Sequence, residues 1–353
     1  MATDLATVAK RLPPELRVRA SEDADIERVV EFQNRWATPS SWMSPAAARL
    51  MQMASPEPLR LVLLVEDRGG AIQGVGRTSN GGLFASPDGS WLVGLRIAPE
   101  WRRCGVARSL LEQLEDHART NKASRLIAAV RGDEPDGARF AEAMGYKAYH
   151  ERIDAYIDVT KFDASPFGDP DEIARSAGIR LVTYAELLRE RAADVETFQR
   201  ELLPVIWAMA RDVPSPTPMP EQPPPFEQAK RMFFEGPGMD PPSTIIALRD
   251  GHPIAMTVTA VKENGTAYTN FTGVARAERG KGIALAMKLR ALRELRARGV
   301  KLLGTTNDEQ NAAMRGINRR LGYVPETPTT MYEKKFSGTL STPTPIAGSR
   351  TVA

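Results

Sequence analysis

RRCGVA at residues 102–107 and RGKGIA at residues 279–284 decide how this chain folds, because both obey one pattern, R-x-x-G-[VI]-A. The step from Arg102 to Arg279 is 177 residues, and the step from Gly145-Tyr146 to Gly322-Tyr323 is 177 again. Two anchors kept 43 residues apart in both places, with no net insertion between them, mark duplication of a whole structural unit. Identity outside the anchors is sparse, so the copies are expected to share a fold and to differ in what they do.

Upstream of Arg102, LRVRASE reads as a strand from Leu16 and DADIERVVEFQNRWAT as a helix. LRLVLLVEDRGG and AIQGVGRTSNGG read as two strands around a Gly-Gly turn, and SWLVGLRI as another strand. Downstream, the loop opens a helix whose Val106, Leu110, Leu111, Leu114 and Ala118 share one face. SRLIAAV is the next strand, DGARFAEAM a helix, and KAYHERI and AYIDV two closing strands. The second copy repeats this order from GIRLVT through AYTNFTGV, the RGKGIA loop and its helix, KLLGTT and NAAMRGINRRL. The units are predicted at 14–161 and 178–337, with a polar, acidic, Pro-containing linker at 162–177 and a flexible tail at 338–353. A length of 353 residues agrees, since one core seldom serves more than about 250–300.

A strand that delivers a Gly-rich, Arg-bearing loop straight into a helix gathers backbone N–H groups and the positive end of the helix dipole around one point. That is a site for a pyrophosphate. Gly282 lets the backbone approach a ligand, Gly280 eases the turn, Ala284 keeps the helix start small, and Arg279 and Lys281 add positive charge. Gly105 and Ala107 keep the small positions in the first copy. Neither copy has G-x-x-x-x-G-K-[ST] or G-x-G-x-x-G, which sets aside nucleotide triphosphatases and dinucleotide folds.

Val274, Arg279, Gly282 and Ala284, and likewise Ile97, Arg102, Gly105 and Ala107, fit V-x-x-x-x-[RQ]-x-x-G-x-[GA], with Ile for Val in the first copy. In this the chain resembles the GNAT superfamily of N-acetyltransferases from about Leu16 to Tyr332. The resemblance implies an α+β (α/β mixed) fold: two tandem GNAT units, each a mixed, mostly antiparallel central sheet flanked by helices. It implies acetyl-CoA as co-substrate, with Ile97 and Val274 where strands splay around the pantetheine arm. The amides of Arg103, Cys104, Gly105, Val106 and Ala107, and of Gly280, Lys281, Gly282, Ile283 and Ala284, would hold the pyrophosphate. Asn311, eleven residues before Gly322, falls where the family often places an Asn beside the coenzyme, whereas the first copy has Glu134 there.

Direct transfer to an amine needs a base for the acceptor's proton and an acid for the departing thiolate. The family's acid is often a Tyr four residues before the Gly of the Gly-Tyr pair; here those positions are Ala141 and Asn318. The catalytic residues therefore stay unassigned, with Tyr323, Tyr268, Asp212 and Asn318 as candidates. Tyr323 also reads as a packing residue and Asp212 as a loop-initiating Asp. VPSPTPMPEQPPPF, from Val213 to Phe226, carries seven prolines and reads either as a stiff lid over an acceptor pocket or as a spacer.

The remaining expectations come from composition. A single cysteine, Cys104, excludes an intrachain disulfide, and His117, His150 and His252 lie too far apart for a zinc pattern, so no metal is expected. Cys104 reads as a small filler or, less simply, as an oxidation-sensitive loop residue. A net charge of +3 argues against a dedicated nucleic-acid binder. No apolar run reaches the roughly 18 residues of a membrane span and no signal peptide is legible, so the expected compartment is the cytoplasm. The expected function is acetyl-CoA-dependent N-acetylation of a primary amine on a small molecule or peptide, with catalysis in the C-terminal unit. The alternatives are a non-catalytic acyl-CoA-binding or sensor protein, or transfer from a different acyl donor. The chain is expected as a monomer with an internal pseudo-dimer or as a homodimer.

Overall fold

The structure, a computed structural model, describes residues 5–54, 59–82, 85–215, 217–308 and 310–336; the tail read over 338–353 lies outside them. The first half runs α1 (Leu5–Ala9), β1 (Leu16–Ala20), α2 (Ile26–Asn34), α3 (Pro45–Ala54), β2 (Arg60–Asp67), β3 (Ile72–Ser79) and β4 (Ser90–Ile97). It continues with α4 (Val106–Thr120), β5 (Arg125–Arg131), α5 (Pro135–Ala143) and β6 (Lys147–Asp158). After α6 (Pro170–Ser176) come β7 (Arg180–Thr183), α7 (Tyr184–Glu190), α8 (Val195–Arg211), α9 (Phe226–Ala229), β8 (Ile245–Arg249), β9 (His252–Val261) and β10 (Thr266–Val274). The second half ends with α10 (Ile283–Ala297), β11 (Leu302–Asp308), α11 (Ala312–Leu321), β12 (Val324–Pro325) and β13 (Thr329–Lys335). Helices α4 and α10 begin and end 177 residues apart, and so do β5 and β11.

Among the described residues thirteen strands form one sheet in the order β1-β2-β3-β4-β5-β13-β6-β11-β10-β9-β8-β7, with β12 on β6. Among the described residues, β4 with β5 and β10 with β11 are parallel and the other pairs antiparallel. The architecture is therefore the mixed, mostly antiparallel sheet flanked by helices expected from the sequence. Apolar periodicity places the helices: Val106, Leu110, Leu111, Leu114 and Ala118 of α4 are all buried, against Trp91, Val93 and Ile97 of β4. On the same face of the second half, α10 buries Ile283, Ala286, Met287 and Leu292. The opposite face is covered by α2 in the first half and by α8, through Phe198, Leu202 and Met209, in the second.

The closing strands differ from the sequence reading. KAYHERI and AYIDV form one strand, β6, because it serves both halves at once. Its first part pairs with β13, from Lys147↔Glu333 to Arg152↔Thr329, and its second part with β11, from Arg152↔Asp308 to Asp158↔Leu302. β13, last in the chain, lies between β5 and β6, so each half is completed by a strand from the other. Local alternation cannot reveal this, since pairing partners as far apart in sequence as Asp158 and Leu302 or Arg125 and Lys335 leave no periodic mark.

The stretch read as a linker docks onto α10. Asp169 caps α6 by accepting from the amides of Asp171 and Glu172, at 2.8 and 3.1 Å. Asp171 in turn pairs with Arg290 at 2.9 Å and Arg293 at 2.5 Å.

Candidate active site

Both signature loops are built in the same way. A short 3-10 turn, Pro99–Trp101 or Arg276–Glu278, follows the strand, and the first arginine then turns back on it. Arg102 Nε donates to the Ile97 carbonyl at 3.2 Å, and Arg279 Nε to the Val274 carbonyl at 3.0 Å. The backbone then takes positive φ twice: at Arg103 (67°) and Gly105 (88°) in one loop, and at Gly280 (80°) and Gly282 (77°) in the other. Such alternation turns successive amides toward one side, as an anion-binding nest does.

The first internal bonds of the helices are Ser109 N–H to Gly105 O and Ala286 N–H to Gly282 O, both 3.0 Å. The amides of 106–108 and 283–285 precede them and have no helical acceptor. A Cβ at Gly105 or Gly280 would meet nothing within 4 Å, and one at Gly282 only Ile173, at 3.9 Å. Each loop therefore offers an open rim of N–H groups at a helix start, which suits a diphosphate. Cys104 is exposed on the first rim, its thiol donating to the Trp101 carbonyl.

Charges around the two loops differ. In the second, Asp212 accepts from Arg276 at 2.9 Å and from Arg279 at 2.5 Å, and these guanidinium groups hold its carboxyl down at about 2. Glu278 accepts from Arg249 and Lys281, which lower it likewise to about 2. Arg102 and Arg103 form no ion pair among the described residues. Asp212 thus stands at the second glycine loop.

Beside each loop a parallel strand pair opens into a fork. β4 and β5 pair from Ser90↔Arg125 to Leu92↔Ile127 and then separate. β10 and β11 pair from Thr266↔Leu302 to Thr269↔Thr305, where a bulge at Asn270 turns β10 away. The freed edge of each strand can bond an extended amide-bearing arm. In the first half, Arg96 Nη1 donates to Glu134 Oε1 at 2.6 Å and ties β4 to the start of α5 across the fork. The corresponding residues of the second half are Gly273 and Asn311, which make no such strap. Asn311 instead caps α11, accepting from Met314 N–H at 3.1 Å. Gly273 is required by packing, since a Cβ there would stand 2.4 Å from the Phe271 ring.

The candidate chemical groups separate by sheet face. Asn318 is buried and donates to Asn307 Oδ1 on β11 at 2.7 Å. Tyr323 is buried on the same side among Ala267, Leu289 and Leu292, its hydroxyl beside Thr269, and burial raises its phenol far above the ordinary range. Tyr268, next to Thr269 on β10, points to the opposite face. It donates to Asp154 Oδ1 at 3.1 Å and contacts Thr306, and burial with the Asp154 charge raises it as well. Asn318 and Tyr323 are therefore together at the second fork, and Tyr268 and Asp212 are elsewhere.

Tyr268 belongs to a polar seam that the sequence did not announce. Asp154 also accepts from Thr306 and Ser40, while Lys262 Nζ donates to the carbonyls of Pro39 and Ser40 at 2.7 Å and Trp42 at 3.0 Å. The loop between α2 and α3 is thus pinned to β6 and to the turn between β9 and β10. Gly304 permits it, because a Cβ there would stand 2.5 Å from Tyr156 and 2.7 Å from Tyr268.

Another residue missed from the sequence is Lys288 on α10, buried and without a hydrogen bond among the described residues. The available signal was a charge at a position sharing the apolar face of Ala291, Leu292 and Leu295. The Pro-rich run folds back on α8, with Trp207 Nε1 donating to Pro220 O at 3.0 Å, and Ser86 of the first half donates to Pro218 O, also at 3.0 Å. His150 Nε2 lies 2.7 Å from Asp308, and exposed His252 lies 2.6 Å from Glu201. Among the described residues no group of three His, Cys, Asp or Glu side chains could hold a metal ion, and no helix is long and apolar enough to cross a membrane.

Comparison with known proteins agrees with this geometry. The sequence model of the Acetyltransferase (GNAT) family matches residues 26–146 and again 206–323. No curated protein matches the chain. Among solved structures, a tandem GNAT protein from the clavulanic acid biosynthesis pathway superposes with a TM-score of 0.67 at 20% identity, over 91% of this chain and 98% of that one. A GCN5-related N-acetyltransferase from Sphaerobacter thermophilus does so with a TM-score of 0.65 at 20% identity, over 92% and 96%. With its family match doubled and its loop, fork and helix present twice, the chain belongs to the acetyltransferase (GNAT) family, in tandem form.

Proposed function

We propose that the chain is a cytoplasmic N-acetyltransferase that moves the acetyl group of acetyl-CoA to a primary amine of a small molecule or peptide, with chemistry in the second of two units, 14–161 and 178–337. The observation that carries this is the contrast of the forks: the first is strapped by Arg96 and Glu134, the second is not. Acetyl-CoA supplies an activated acetyl group as a thioester. In this reading the amides of Gly280 to Ala284, with Arg279 and Lys281, hold the diphosphate. The edge of β10 from Asn270 to Val274 aligns the pantetheine arm, and Asn311 lies beside it.

Incubation with a panel of amines and measurement of free thiol release tests the proposal. Gly282→Glu places a carboxylate in the cradle at a φ that disfavours any side chain, and is expected to abolish the signal, whereas Gly105→Glu leaves it. Loss of turnover in Gly105→Glu alone would reverse the assignment.

A second reading, a non-catalytic acyl-CoA-binding protein, is favoured by one observation. Asn318, in place of the family's acid, is committed to Asn307. Calorimetric binding of acetyl-CoA without thiol release across amines, peptides and aminoglycosides would select it.

A further inference from the structure

Lys288 sits on the second turn of α10, 2% exposed, with its Nζ 5.4 Å from the centre of the Tyr323 ring. Tyr323 reaches up to Thr269, which forms the last rung with Thr305 before β10 and β11 part. The ammonium therefore lies over the ring of the tyrosine whose hydroxyl reaches the fork. It has no hydrogen bond or ion pair among the described residues, and by helical spacing it shares a face with the buried Ala291, Leu292 and Leu295. An unpaired buried cation is costly.

The fold does not require it. One 177-residue step back stands Leu111, equally buried. The first half also shows how charge is normally balanced there. Tyr146, the counterpart of Tyr323, donates to Glu115 at 3.2 Å, and Lys334 meets both Glu115 oxygens at 2.8 Å. In the second half the position of Glu115 is taken by Leu292, so the cation stays uncompensated.

The position from which the family's acid acts holds Asn318 in this half, which cannot supply a proton. We propose that Lys288 is the donor: its ammonium protonates the coenzyme A sulfur as the acetyl group leaves. The acceptor nitrogen forms a bond to the acetyl carbon, the carbon–sulfur bond breaks with its electron pair on sulfur, and a Lys288 N–H proton passes to sulfur. Lys288 is left as a neutral amine and regains a proton from the one the acceptor ammonium releases. Burial alone pulls its pKa down to about 8; no charged side chain acts on it, and the titratable group facing it is Tyr323. That value suits exchange of a proton with a thiol.

The inference rests on the second half being the acetyl-CoA site, and the experiment separates the two. Full-length wild type, Lys288→Met and Lys288→Leu are compared, Leu being the residue of the first half. Each is titrated with coenzyme A by calorimetry, and the thiolate absorbance of the bound coenzyme is followed against pH. Binding is expected within about two-fold in all three, with the bound thiol titrating at lower pH in wild type than in either variant. Turnover is expected to fall about 100-fold in both variants, with loss of the alkaline limb near pH 8. Equal thiol titration and equal turnover in wild type and variants would overturn the role of Lys288 while leaving the acetyltransferase reading intact. Failure of wild type to bind coenzyme A in a Gly282-dependent manner would overturn both. The thiol titration needs no acceptor, so it decides even before the amine is identified.

Discussion

The two halves agree in backbone and part in side chains. The arginine that turns back on its strand, the paired positive-φ positions and the first helical bond recur 177 residues apart, even though the first loop puts Arg103 where the second has Gly280. At the forks the same step exchanges Arg96 for Gly273, Glu134 for Asn311, Leu111 for Lys288 and Ala141 for Asn318. A diphosphate cradle made of amides depends on chain conformation and survives wide sequence change, whereas what happens at the tip of the coenzyme depends on individual side chains. Divergence has therefore changed the side chains at the forks while keeping the fold.

The largest expected effect breaks the comparison outright. Gly282→Glu should lower turnover more than about 100-fold and remove one coenzyme site from the calorimetric stoichiometry, while Gly105→Glu should leave turnover near wild type. Equal effects of the two substitutions would show that the forks are equivalent.

Next in size is stability at Lys288. Replacing the unpaired ammonium by Met should stabilise the protein by about 1–3 kcal/mol at neutral pH. The folded-state pKa of about 8 lies below the ordinary 10.5, so between these values the unfolded chain holds a proton that the folded chain lacks. Wild-type stability should therefore rise with pH through that window and the gap to Lys288→Met should narrow, as read from denaturant unfolding at several pH values. A gap independent of pH would mean that Lys288 is not buried as a cation.

Asn318→Ala installs the residue of the first half and strands Asn307 Oδ1, which costs about 1–3 kcal/mol by the same measurement. Ala141→Gly, a truncation at the corresponding place, removes no hydrogen bond and should fall near the helix-propensity cost of about 1 kcal/mol. The smallest effect concerns the loop charges. Asp212→Asn should free Arg276 and Arg279 and tighten coenzyme A binding about five-fold at low salt, an effect that fades as salt rises. Weaker binding would show that Asp212 orients the arginines for the diphosphate and does not compete with it.

Most of this fold was legible because its signals are local. Val106, Leu110, Leu111, Leu114 and Ala118 mark their helix face by spacing alone, and the loop glycines mark the backbone conformation that only the absence of a Cβ makes easy. The seam of Ser40, Asp154, Lys262, Tyr268 and Thr306 was not legible, since its members come from separate stretches and all but Tyr268 pass as ordinary surface or strand residues. Tyr323 and Tyr268 looked alike as candidates until their contacts, with Thr269 and with Asp154, placed them on opposite faces.

The sequence by itself determined the duplication, the helix and strand order and the two glycine loops that open helices, because these follow from repeat spacing, periodicity and the backbone demands of glycine. Only the tertiary structure decided that β6 and β13 complete one another's halves, that Arg96 straps the first fork, and that Lys288 stands uncompensated over the ring of Tyr323. These are contacts between distant residues, and their energies depend on burial and pairing that no local pattern encodes.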